Sequence, residues 1–143
     1  MKKEEWDTMI DTEQLVKMIK EQGVEYFTKD KKQKVKVGLY LEYLMEQRHI
    51  TRKEMISKLN VDESYGRKLF GGQRTPTRKI LIQSAFILGL NLEETQRILE
   101  IGQKARLYPR IRYDAAIIYG LEKKFTLDKM NSFLEEIGET ALL

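Results

Sequence analysis

The chain has 143 residues, 41% of them hydrophobic and 34% charged, with 26 Lys and Arg against 22 Asp and Glu. It has no cysteine and a single histidine, which excludes disulfides, thiolate metal sites, thiol nucleophiles and multi-histidine centres. No stretch approaches the roughly 20 apolar residues that cross a bilayer, and Met1-Lys-Lys-Glu-Glu-Trp6 has charge but no apolar run behind it, so a cytoplasmic protein without a secretory signal is expected.

The lead-in, residues 1–33, holds a helix opening at Asp11, with Leu15, Val16, Met18 and Ile19 as its apolar stripe and Gly23 as its end. Trp6, Tyr26 and Phe27 read as packing anchors or, alternatively, as dimer or partner contacts. A lysine-rich linker covers 28–34. From Val35 the pattern sharpens, and Val37, Leu41, Leu44 and Met45 predict a helix over 35–48. Thr51-Arg-Lys-Glu54 is a capping box, opening a short helix with Met55, Ile56 and Leu59 inward. Asn60-Val61 makes a turn, and Asp62 caps a helix that runs to Phe70 and stops at Gly71-Gly72. After the loop 73–76, Thr77 caps a helix to Leu88, and Asn91-Leu-Glu-Glu94 is a second capping box for a helix to Gly102.

Residues 103–143 read as a turn at Leu107-Tyr-Pro-Arg110 and two further helices, one over 113–123 and one opened by Thr126. Pro109 is expected near the first helical position and Asp114 in the first turn. An echo at an offset of 35 pairs Ile82 with Ile117, Phe86 with Leu121, Leu90 with Phe125, Ile98 with Phe133 and Leu99 with Leu134. It indicates two similar helical hairpins side by side, arising by duplication or by chance likeness of amphipathic pairs. The overall expectation is an all-α chain in three parts: an arm over 1–33, a central domain over 34–102 and a packing or dimerisation hairpin over 103–143.

Charge is uneven along these parts. Residues 34–80 carry eleven basic side chains against five acidic, while the flanking segments are each net −1. Such a block suits a polyanion through counterion release, although a solvated basic face is the plain alternative.

Two short helices with a two-residue break match helix-turn-helix geometry. Together with Arg48-His-Ile-Thr-Arg-Lys-Glu-Met-Ile, Asn60-Val-Asp-Glu-Ser-Tyr, Gly72-Gln-Arg-Thr-Pro76-Thr and Ala85-Phe-Ile-Leu-Gly-Leu-Asn, this order resembles the five-helix phage repressor/Cro (XRE-type) DNA-binding family over about half of the chain. The resemblance implies base reading from Glu63, Ser64, Tyr65, Arg67 and Lys68 on the second helix. It implies phosphate contacts from Arg52, Gly72, Gln73, Arg74, Thr75 and Thr77, the last through a helix N-terminus. Departures from the family pattern are the acids Asp62 and Glu63, which repel phosphate, Gly66 in place of a buried apolar residue, and Phe70-Gly-Gly at the helix end.

His49 reads as a surface or capping residue. Arg110 and Arg112 in Tyr108-Pro-Arg-Ile-Arg-Tyr113 form a second basic patch, either a phosphate contact or a turn that starts a helix. The expected function is a sequence-specific regulator that reads double-stranded DNA, a homodimer on a palindromic site. The alternative is a protein-interaction module, an antitoxin or adaptor, on the same scaffold, with its partner on the C-terminal hairpin. No glycine loop for phosphate, metal-ligand cluster or nucleophile–base pair points to an enzyme, and no cofactor, metal or membrane partner is expected.

Overall fold

The computed structural model describes residues 12–23 and 36–143, and every regular element among them is a helix. Asp11, Trp6, Tyr26, Phe27, the linker 28–34 and the side chain of Leu15 lie outside the described residues. Two compact units divide the chain, Met1–Lys36 and Val37–Leu143.

In the first unit, α1 spans Thr12–Gln22. Gly23 ends it in the left-handed region, its amide donating to the Ile19 carbonyl at 2.9 Å. Val16 and Ile19 are exposed.

The second unit opens with α2, Val37–Gln47, whose Val37, Tyr40, Leu41, Leu44 and Met45 are buried. The 3.6-residue spacing of these side chains leaves one polar face. His49 takes the left-handed conformation behind α2, and the Ile50 amide reaches back to the Met45 carbonyl at 3.0 Å. The capping box at Thr51 and Glu54 then opens α3, Arg52–Leu59, with Met55, Ile56 and Leu59 inward. Asn60, also left-handed, turns the chain, and Asp62 caps α4, Glu63–Phe70, through the Tyr65 amide at 3.3 Å.

Thr77 caps α5, Arg78–Leu88, and the second capping box, Asn91 with Glu94, opens α6, Leu92–Ile101. Then follow α7, Arg112–Glu122, and α8, Leu127–Glu136, capped by Thr126. In packing, α2 lies against α4 and α6, α3 against α4 and α5, α6 against α7, and α5 against α8. The 103–143 hairpin is therefore part of the same unit as the helices before it. The core holds Leu41, Met45, Met55, Leu69, Phe70, Leu81, Ile98, Leu99, Ile117, Met130 and Leu134.

Glycine sets how closely α4 packs. A Cβ on Gly66 would sit 2.6 Å from Ile56 Cγ1, and one on Gly38 would overlap the Leu69 carbonyl. Gly66, which departs from the family pattern in place of a buried apolar residue, is what lets α4 press against α3. Phe70, the other departure in that helix, is fully buried.

The likeness between α5–α6 and α7–α8 extends to the backbone. Gly89 and Lys124 are both left-handed, as are Gln103 and Gly138, each pair 35 residues apart. The side-chain amide of Gln96 bonds both backbone groups of Leu107, at 2.7 and 2.8 Å. Asn131 does the same for Leu142, at 2.6 and 3.2 Å. Apolar spacing alone does not dictate such matched polar contacts.

Candidate nucleic-acid interface

Burial alternates along α4. Gly66, Leu69 and Phe70 face the core, Tyr65 is half-buried, and Glu63, Ser64, Arg67 and Lys68 are exposed. The exposed side chains are those expected to read bases. Two of them are engaged with each other: Arg67 Nη2 lies 2.6 Å from Glu63 Oε1. The pair is open to water, so it contributes no more than about 0.3–0.5 kcal/mol. With Asp62 at the cap and Lys68 beside it, the formal charge of this face cancels.

Arg52 is held more firmly. Its Nη2 donates to both oxygens of Glu42 on α2 at 2.8 Å. A phosphate would have to compete with that carboxylate. Arg48 reaches Glu94 at 3.3 Å, and Arg78 reaches Asp114. Glu94 and Asp114, which answer these two arginines, come from outside the basic segment. Lys53, Lys68, Arg74 and Lys79 are exposed and form no ion pair among the described residues.

The loop behind α4 supplies side chains rather than amides. The Gly72 amide donates to the Leu69 carbonyl at 3.2 Å, and the amides of Gln73 and Arg74 both turn back to the Lys68 carbonyl, at 2.9 and 3.2 Å. These amides are spent closing the helix end, contrary to the expectation that the loop backbone holds phosphate. The side chains of Gln73, Arg74 and Thr75 remain exposed. Thr77 accepts from the Ile80 amide at 3.2 Å, and the first turn of α5 carries no acid. That end favours an anion through its dipole.

No family model, curated protein or solved structure matches the chain.

The second basic patch is divided by the structure. Arg112 donates to the Ile137 carbonyl at 2.6 Å and to Glu139 Oε1 at 3.1 Å, fastening α7 to the end of α8. Arg110 stays exposed. Pro109 does not start α7. It lies in a turn closed by the Ile111 amide on the Tyr108 carbonyl at 2.9 Å, and the helix begins at Arg112 with no side-chain cap. Asp114 is in the first turn, as expected, but it is 2% exposed and accepts from the Tyr108 amide at 2.9 Å.

Arg78 was read only as part of a charge block, yet it organises this region. Its Nε donates to the Ala105 carbonyl at 2.9 Å and its Nη2 to that of Arg106 at 3.2 Å, besides the pair with Asp114. The 104–110 loop is thus fastened to Arg78 in the first turn of α5. Arg106, Arg110 and Lys79 are exposed. Lys53 and Lys79 belong to the basic segment but were not singled out in it, and Arg106 lies beyond it; exposed charge was the available signal. Burial pushes the Tyr113 hydroxyl above its ordinary value of 10.0, with Arg78 opposing and Asp114 and Glu139 adding to the shift.

No helix among the described residues is long and apolar enough to cross a membrane. No cluster of three or more His, Cys, Asp or Glu among them could hold a metal ion.

Proposed function

We propose that the chain is a DNA-binding regulator of the repressor/Cro (XRE) type, in which α2–α6 form the five-helix domain and α4 enters the major groove. The observation that supports this most is the pairing of α3 and α4 across Asn60-Val61-Asp62, with the outer side of α4 uncovered. Lys68 and Ser64 reach bases, and Arg67 does so once it leaves Glu63. Arg74, Lys79, Arg106 and Arg110 hold phosphates on the same side as the Thr77 helix end. Binding as a homodimer on a palindrome supplies the specificity that one short helix lacks, and such a regulator works in the cytoplasm.

The test is fluorescence anisotropy with random and selected duplexes across salt. With about four phosphate contacts from each protomer of the dimer, the slope of log K against log salt is near −7. Undetectable or salt-independent binding overturns the reading.

The cancelled charge on α4 favours a second reading, a protein-interaction module on the same scaffold. Under it, Arg67→Ala with Lys68→Ala leaves partner capture intact. Under the first reading the double variant loses DNA.

A further inference from the structure

The two helical hairpins are alike, but within the described residues of the second unit only one has its outer face covered. On α6, Glu94, Ile98 and Gly102 form a stripe at successive turns. That stripe faces α2: Arg48 Nη2 meets Glu94 at 3.3 Å, and a Cβ on Gly102 would lie 3.6 Å from Val37 Cγ1. The end of α2 thus lies at the start of α6, so the two helices run antiparallel. Ile98 between them is wholly buried.

The matching stripe on α8 is Lys129, Phe133 and Ile137. Nothing among the described residues of the second unit covers it as α2 covers α6. Phe133 and Ile137 are half-buried and Lys129 is exposed. Beside the stripe, Tyr119 is 45% exposed, whereas its counterpart Ser84 is fully buried. The rings of Tyr119, Phe125 and Phe133 gather at 5.2–5.8 Å, with Lys123 over the first and Lys129 over the second.

The charge at the key position is reversed. Where α6 offers Glu94 to Arg48, α8 offers Lys129, in the first turn of its helix, where the dipole is positive. Lys123 and Lys124 stand in the adjoining turn, so with Lys129 three cations meet Glu122 and Asp128 around the rings. A cleft of about 360 Å³ continues from Phe125 and Lys124 toward Leu88 and Leu90.

We propose that this face is a docking site for an amphipathic helix of a partner protein. The helix lies antiparallel on α8 as α2 lies on α6, with apolar side chains on Phe133 and the neighbouring rings. It places a carboxylate against Lys129, where α2 places Arg48 against Glu94. This site does not depend on DNA binding by α4.

The experiment uses the full chain and two stapled peptides, one with the sequence of residues 37–48 and one with the same sequence carrying Arg48→Glu. Amide shifts are followed by NMR during titration. The expected result is movement at Phe125, Lys129, Phe133 and Ile137, with the acidic peptide binding about fivefold tighter at low salt. Lys129→Glu, an exposed change whose melting temperature is checked, inverts the order of the two peptides. Three results overturn the proposal: no binding of either peptide, shifts or affinities that ignore the charge at both positions, and protection of this face in peptide-free protein by α1 or by a second copy.

Discussion

Arg78 and Asp114, 36 residues apart in the chain, face each other through two hydrogen bonds, Nη1 to Oδ1 at 3.2 Å and Nη2 to Oδ2 at 3.0 Å. Asp114 is buried, and Arg78 is partly open to water. Removing Arg78 strands a carboxylate in the interior with only the Tyr108 amide for company. Arg78→Ala is expected to cost about 2–4 kcal/mol in urea unfolding, allowing for the open side of the arginine. Asp114→Ala and the double variant complete a cycle, and a coupling near zero contradicts the arrangement.

Two glycines predict a ranking. Gly66→Ala meets the side chain of Ile56, which can shift, whereas Gly38→Ala meets the backbone at Leu69, which cannot. Overpacking of this kind costs roughly 1–3 kcal/mol, offset at Gly66 by about 1 kcal/mol of helix propensity. Gly38→Ala is therefore the more damaging in thermal melts, and trimming Ile56 to Ala relieves only Gly66→Ala.

The matched amide contacts predict matched losses. Gln96→Ala leaves both backbone groups of Leu107 without a partner, and Asn131→Ala takes one bond each from the amide and carbonyl of Leu142. Each should cost about 1–3 kcal/mol. The Asn131 variant should be the milder, because Gln83 also donates to the Leu142 carbonyl at 2.9 Å. Chemical denaturation of the two variants decides it.

DNA affinity should separate free cations from engaged ones. Lys68→Ala weakens binding and relaxes base preference, whereas Arg74→Ala weakens it uniformly and, lost from both protomers, reduces the magnitude of the salt slope by about 2. Arg52→Ala has a smaller effect on the slope, because Glu42 already answers that charge. Glu63→Gln removes a repelling carboxylate and releases Arg67, so affinity rises. A fall in affinity for Glu63→Gln would contradict the orientation assigned to α4.

Tyr113 predicts a loss of stability in alkali. Its pKa lies above 10.0 in the folded chain because burial disfavours the phenolate. The unfolded chain therefore releases that proton first. The contribution is intact below pH 10 and declines as pH rises through the folded value. Tyr113→Phe should flatten the decline in unfolding free energy that sets in above pH 10.

The sequence by itself determined where helices begin and end, because caps and stops act within one turn. Thr51 with Glu54, Asp62, Thr77, Asn91 with Glu94, and Thr126 all cap the helices they precede. It also determined the inward faces of α2 and α3 and the 35-residue echo, which rest on the period of the helix. Only the tertiary structure decided which charges are free. Arg52 and Arg78 are engaged by Glu42 and Asp114, and Arg112 by Glu139, all through contacts that spacing along the chain does not encode. The same holds for Gly66, whose use depends on Ile56, and for the open stripe on α8, which shows itself only beside the covered one on α6. Local rules are written in neighbouring residues, whereas charge pairing and coverage depend on which distant segments the fold brings together.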